Sequence, residues 1–417
     1  LGDRKRQTWR IVLEGAATAG EEENAGIVEE RSQIGNEQRF KTMLTSIYAD
    51  NFRSLVNFEL KLNELSLLMG PNGSGKTSVF EVIRRLQRFI SGEFKVREAF
   101  PASTLTRWSN LREQQFSLTM RIDDPDLHDP FLIYTLVIEH DEELRLCRVK
   151  REALTDTGKP LFEFDNGEVH LYRDDHTVGP AYPYDWTQSG MAPIQPRSDN
   201  KLLTAFKERL RGLVIASIVP SLMDAESQDE EMSLSSKMEN FVSWYRRLSQ
   251  ENMGGMVKLF GVLKEVLPNF ESFSFTEVGR GSKVLRVMFE NNQRGAKPLS
   301  FDFDELSDGQ RVLIALYTIV FALKGEHLSL FLDEPDNFVS LQEIQPWLAA
   351  VQDACGDTIR QAVIISHHPE IIDYLGTSEG KWFSREGVGP TRVSNEPPIP
   401  IEGLKLLETI VLGQIGE

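Results

Sequence analysis

The segment Gly70-Pro71-Asn72-Gly73-Ser74-Gly75-Lys76-Thr77 fits the pattern G-x-x-x-x-G-K-[ST], and its flanks constrain the fold more than anything else in the 417-residue chain. Before it, Leu65 to Gly70 (LSLLMG) is a short apolar run that ends on a glycine, as a buried strand would. After it, Lys76 to Ile90 puts Val79, Phe80, Ile83, Leu86, Phe89 and Ile90 on one face at helical spacing. A strand, a glycine-rich loop and a helix in that order turn backbone N–H groups and the positive end of a helix dipole toward an anion. Lys76 is then placed to reach the β and γ phosphates of a nucleoside triphosphate, and the Thr77 hydroxyl to hold Mg²⁺. The candidate nucleotide-binding residues are Gly70, Pro71, Asn72, Gly73, Ser74, Gly75, Lys76, Thr77 and Ser78. An incidental glycine-rich turn is the competing reading, and the strand and helix on either side argue against it.

Three later segments supply what such a loop needs. Leu330-Phe331-Leu332-Asp333-Glu334-Pro335 is an apolar strand ending in two carboxylates, Asp333 suited to Mg²⁺ and Glu334 to orienting an attacking water. Leu306-Ser307-Asp308-Gly309-Gln310 opens an apolar helix with small and polar residues suited to a phosphate. Alone it reads as an ordinary helix cap. Val363-Ile364-Ile365-Ser366-His367-His368 is a third apolar strand, ending in histidines. Adjacent side chains at a strand end point in opposite directions, which disfavours a shared metal. One imidazole, His367, is the candidate to hydrogen-bond the γ phosphate, with His368 left open.

Composition sets the outer limits. Hydrophobic residues are 40% and charged residues 26%, a globular balance, and 63 acidic against 46 basic side chains give a net charge of −17. That charge argues against a surface coated for nucleic acid without excluding a local basic groove. The two cysteines, Cys147 and Cys355, suggest no disulfide framework and fit a reducing, cytoplasmic compartment. The apolar run Val312 to Leu323 is shorter than the roughly 20 residues a spanning helix needs, so it is expected to be a buried helix and no membrane partner is implied.

The predicted organisation is α/β: a phosphate-loop fold with an antiparallel β subdomain and a helical insertion. Residues 1–42 read as a flexible extension. Residues 43–198 form an N-terminal lobe with the phosphate loop and period-two strands from Phe116 to about Tyr172, followed by a loop over 176–198. Residues 199–300 read as a helical and β insertion, and 301–417 as a C-terminal lobe with the Ser307 helix, the carboxylate pair and the histidines. The apolar and aromatic stripe of Phe241, Trp244, Tyr245, Met253, Met256, Leu259, Phe260 and Leu263 is expected to be core, and Ala181 to Trp186 a rigid aromatic loop.

Together the four motifs resemble the ABC-type ATPases, with LSDGQ standing where that superfamily has LSGGQ. The stretch TSIYADNFRSLVNFELKLNELSLLMGPNGSGKT resembles the RecF and chromosome-maintenance group, especially standalone bacterial AAA family ATPases related to the overcoming-lysogenization-defect proteins. The resemblance covers about 43–90 and 301–385. It implies a P-loop ATPase (ATP + H₂O to ADP + phosphate) that closes as a head-to-tail homodimer around two Mg·ATP. Ser307, Asp308, Gly309 and Gln310 of one subunit would then face the nucleotide on Lys76 of the other. It also implies that Arg53 of Asn51-Phe52-Arg53-Ser54 faces the nucleotide, and that one glutamine, with Gln114, Gln115 and Gln195 as candidates, senses it.

For the output of such a cycle, DNA and a separately encoded effector protein are the two expectations, in repair or antiviral defence. Basic clusters at Lys201, Lys207, Arg209, Arg211 and at Arg145, Arg148, Lys150, Arg151 are the candidate DNA contacts, or else solvated faces. A transporter subunit is a third reading, opposed by the long insertion between Gly70 and Leu306.

Overall fold

In the computed structural model the described residues are 41–123, 131–141, 146–279, 281–291, 297–322, 328–355 and 358–395. The extension expected over 1–42 lies outside them except for residues 41 and 42, as do Arg145 and residues 396–417.

A six-stranded sheet carries the four motifs. Its middle strand, β3 (Leu65–Met69), is buried along its whole length and lies parallel between β16 (Ile359–Ile365) and β17 (Gly380–Ser384). Outward from β16 come β15 (Leu328–Asp333) and then β10 (Leu213–Ala216), both parallel. Outward from β17 lies β18 (Arg392–Ser394), antiparallel. A parallel sheet is covered on both faces, so these strands read as unbroken apolar runs. The side-chain alternation of a strand sorts them between two cores. Leu65, Leu67, Met69, Leu330, Leu332, Ala362 and Ile364 pack toward α6 (Asp308–Phe321), α7 (Leu341–Ala354) and α8 (Pro369–Glu379). Leu68, Phe331, Val363 and Ile365 pack toward α1 (Lys76–Ile90), where Phe80 meets Phe331 edge to face at 5.5 Å. The expected buried helix is α6, in which Val312 to Val320 are all buried.

Behind α1 stands an eight-stranded antiparallel sheet in the order β2-β1-β4-β5-β6-β7-β8-β9. Its strands are β1 (Lys41–Asp50), β2 (Phe58–Lys61), β4 (Glu113–Asp123), β5 (Phe131–Asp141), β6 (Leu146–Asp156), β7 (Lys159–Asp165), β8 (Glu168–Tyr172) and β9 (Val178–Pro183). Every second residue of β5 from Leu132 to His140 faces the core, the period-two pattern of the sequence. A helical turn, α2 (Val96–Ala99), and α3 (Lys201–Arg211) pack against it. A smaller sheet of β11 (Glu226–Ser227), β13 (Lys283–Phe289), β12 (Phe270–Glu277) and β14 (Leu299–Asp302) joins α4 (Phe241–Glu251) and α5 (Met253–Val266) on the α6 side.

Three expectations change. The loop over 176–198 contains β9, paired to β8 through Val169 and Tyr182. The span 199–300, read as an insertion, lends β10 to the central sheet. Four apolar residues directly after a helix that closes on Gly212 show no alternation, so nothing in the local pattern separates them from that helix. The aromatic stripe is core at Phe241, Trp244, Tyr245, Met256, Leu259 and Leu263, whereas Met253 faces solvent and Phe260 is half-buried.

Candidate functional site

The C-terminal ends of β3, β15, β16 and β17 point to one edge of the central sheet, where parallel α/β folds place their ligands. The phosphate loop leaves β3 there. Gly75 caps α1 at φ 104, and a Cβ on it would collide with the Thr391 and Ser54 hydroxyls, so only glycine fits. The Lys76 ammonium is folded back to donate to Gly70 O at 2.8 Å and Pro71 O at 3.1 Å. Burial lowers its pKa, opposed by the charges of Glu334 and Asp333. The buried Ser74 hydroxyl has no hydrogen-bond partner among the described residues. The Thr77 side chain is hydrogen-bonded to Asp333, whose carboxyl is pushed above the ordinary value chiefly by burial. A lysine whose hydrogen bonds go to its own loop, a hydroxyl with no partner among the described residues and a desolvated carboxylate beside a threonine fit a phosphate and a divalent cation.

Glu334 follows Asp333 in the left-handed region at φ 50. Its N–H donates to Ile365 O at 2.9 Å, which ties the end of β15 to that of β16. Its carboxylate accepts from Asn337 Nδ2 at 2.9 Å and lies 3.8 Å from His367 Nε2. Burial and then the nearby Lys76 charge lower the His367 pKa, so its neutral form dominates at pH 7. His368 points elsewhere and caps α8, its Nδ1 accepting the Glu370 N–H at 3.2 Å. The strand-end geometry thus separates the two histidines, as their adjacency predicts.

These groups line an open cleft of about 430 Å³. Arg53, Asn72, Gly73, Gly75, Lys76, Thr77, Ser78, Glu334 and His367 border it. Gly70, Pro71, Ser74 and Asp333 stand immediately behind as loop backbone, buried hydroxyl and Thr77 partner. Arg53 is also held by Glu81 of α1 in a two-pronged ion pair at 2.6 and 2.8 Å. Five lining residues had no motif to announce them: Ser103, Leu105, Arg107, Trp108 and Arg385. Arg385 donates to Gly73 O at 2.8 Å, and the Thr391 hydroxyl lies 2.8 Å from Ser74 O, so the β17–β18 hairpin straps the phosphate loop from outside.

Ser307, Asp308, Gly309 and Gln310 are absent from that lining. They form the start of α6: Ser307 Oγ accepts the Gln310 N–H at 3.3 Å, Gln310 Oε1 accepts the Ser307 N–H at 3.1 Å, and Asp308 pairs with Arg311. Gly309 lies against the chain after Glu334, where a Cβ would sit 2.7 Å from Phe338 O.

Of the glutamine candidates, Gln114 is buried and spent on Asn51 O, Thr104 Oγ1 and His140. Gln115 and Gln195 are exposed, and none of the three lines the cleft. The candidate DNA charges are largely engaged. Lys207 donates to three carbonyls between Met191 and Ile194, and the half-buried Arg209 donates to Ser329 Oγ at 3.0 Å. Arg148, Lys150 and Arg151 pair with Glu139, Glu113 and Glu163.

Residues 43–169 match the family described as AAA ATPase domain. That stretch contains the whole phosphate loop, and the structure sets the Ser307 helix, the Asp333-Glu334 strand end and His367 around the same sheet.

The fold is α/β, with a phosphate loop leaving the middle strand of its parallel sheet.

Among solved structures, the chain is similar to three chromosome-maintenance (SMC) head domains. One is the head bound to the C-terminal winged-helix domain of ScpA, with TM-score 0.49 and 11% identity over 84% of this chain and 97% of that chain. Another is the head from Thermotoga maritima, with TM-score 0.45 and 10% identity over 84% and 98%. The third is a head with extended coiled coil bound to the C-terminal domain of ScpA derived from Pyrococcus furiosus, with TM-score 0.47 and 9% identity over 89% and 99%. No curated protein matches the chain. Among the described residues no helix is long and apolar enough to cross a membrane.

Proposed function

We propose that the chain binds Mg·ATP in this cleft, hydrolyses it, and closes head to tail on a second copy while the nucleotide is intact. The observation that carries the proposal is the meeting of Lys76, the Thr77–Asp333 pair and the Glu334–His367 pair in one cleft. Thr77 and Asp333 would hold the metal, which supplies neutralisation of phosphate charge. Lys76 exchanges its two loop carbonyls for phosphate oxygens. Glu334, steadied by Asn337, orients a water and takes its proton, and neutral His367 donates to the terminal phosphate. The exposed start of α6 has its own hydrogen bonds satisfied and stands outside its own cleft, which suits it to serve a partner's nucleotide.

The engaged basic clusters favour an effector protein over DNA as the target of the switch. The decisive variant is Glu334→Gln. With saturating Mg·ATP it should remain dimeric by light scattering while wild type cycles back to monomer. A variant that stays monomeric refutes the dimer. ATP-dependent binding of duplex DNA at low salt, falling steeply as salt is added, would refute the effector reading.

A further inference from the structure

The cleft has one apolar wall that the phosphate chemistry leaves unused. Among its lining residues Leu105 and Trp108 are the large apolar side chains, and Trp108 is 43% exposed. An indole bordering a polar cleft and open to solvent offers that cleft a flat apolar face.

The loop that carries it is built with care. Asn51, 1% exposed, grips both ends: its Oδ1 accepts the Thr106 N–H at 3.2 Å, and its Nδ2 donates to Leu111 O and Glu113 O, both at 2.8 Å. The neighbouring Arg53 N–H donates to Thr104 O at 2.7 Å, and Phe52 bridges to Leu105. The segment Asn51-Phe52-Arg53 therefore fixes the tryptophan loop as well as placing Arg53. On the other side the Arg385 guanidinium lies 5.5 Å from the Trp108 ring centroid while donating to Gly73 O of the phosphate loop. A single side chain thus sets the distance between the indole and the place where phosphates bind.

We propose that Trp108 is the platform on which the nucleobase stacks, with Arg385 and Asn51 as positioning residues. This rests on the Mg·ATP reading of the same cleft. The ligand class is a nucleoside triphosphate, with its base on the indole and its phosphates on Lys76 and Thr77. Stacking on a π face tolerates different bases, so the platform contributes affinity for nucleotide over bare polyphosphate.

The test compares Mg·ATP with Mg·tripolyphosphate, by calorimetry on the full chain. Trp108→Ala should weaken ATP by about 10-fold or more, the range for a lost base–aromatic stack, and leave tripolyphosphate unchanged. Trp108→Phe should keep most of the ATP affinity yet lose the quench of tryptophan emission that ATP, but not tripolyphosphate, produces in wild type. ATP affinity unchanged in Trp108→Ala, equal weakening of both ligands, or an ATP quench that survives in Trp108→Phe would each overturn the platform while leaving the phosphate site standing. If wild type binds neither ligand, the Mg·ATP reading falls and the platform with it.

Discussion

The phosphate-loop end of the sheet and the start of α6 belong to the same reading and are finished differently. At the phosphate loop, polar groups make do: Lys76 leans on its own loop's carbonyls, Ser74 has no partner among the described residues, and Asp333 is desolvated. At the start of α6 the cap itself is satisfied, with Ser307 and Gln310 answering each other and Asp308 held by Arg311. An unfinished set of donors signals a ligand within one chain. A finished cap that is nevertheless exposed signals at most a surface, and its use depends on a second molecule.

That difference is open to attack from both ends. The largest effect should come from Glu334→Gln, which removes the proposed proton acceptor: steady-state hydrolysis should fall by about 10²–10⁴-fold with ATP affinity kept. Lys76→Ala follows. Loss of a charged hydrogen-bond donor, about 1.5–3 kcal/mol, should weaken ATP by about 10- to 150-fold in calorimetry, with little change in the urea midpoint. On the α6 side the order reverses. Gly309→Ala drives a methyl toward Phe338 O and should cost about 1–3 kcal/mol of folding stability, read from urea unfolding, while a monomer's ATP affinity stays near wild type. Ser307→Ala should cost about 1 kcal/mol through the lost cap.

The smallest effect is a pH dependence, and burial of Asp333 sets its sign. A raised carboxyl pKa means that the folded chain keeps its proton at a pH where the unfolded chain has lost it. This group's contribution to stability is therefore full below the unfolded value of 3.8 and is lost as pH rises through the raised folded value. Cation binding needs the ionised form, so Mg²⁺-dependent ATP affinity should fall on acidification earlier than an exposed aspartate would allow. Asp333→Asn should raise the nucleotide-free melting temperature at pH 7 and abolish the extra stabilisation that Mg²⁺ adds to ATP. If Asp333→Asn melts lower than wild type, the burial argument is wrong.

How far the sequence reached follows from the kind of signal each part carries. The bounds of α1 coincide with the apolar stripe and polar start that suggested it, because a buried helix face leaves a periodic mark. The strap and β10 leave none. Thr391 and Arg385 act through single hydrogen bonds to loop backbone, and β10 is four residues long. Trp108 sits on a loop, where no period exists, and its relation to Asn51 emerges only when the two segments are seen together. Asn337, three positions after Glu334, lies just beyond the motif that ends at Pro335 and carries no pattern of its own.

The central strand β3 has both of its partners, β16 and β17, in the last third of the chain, and Gln361 of β16 reaches back to Leu44 O and Asn63 O. During synthesis the phosphate loop therefore emerges long before the strands that brace it, attached to a hydrophobic ribbon with two open edges. A nascent chain stopped before residue 359 should be unable to retain nucleotide however perfect its loop, and its need for a chaperone should peak over that interval.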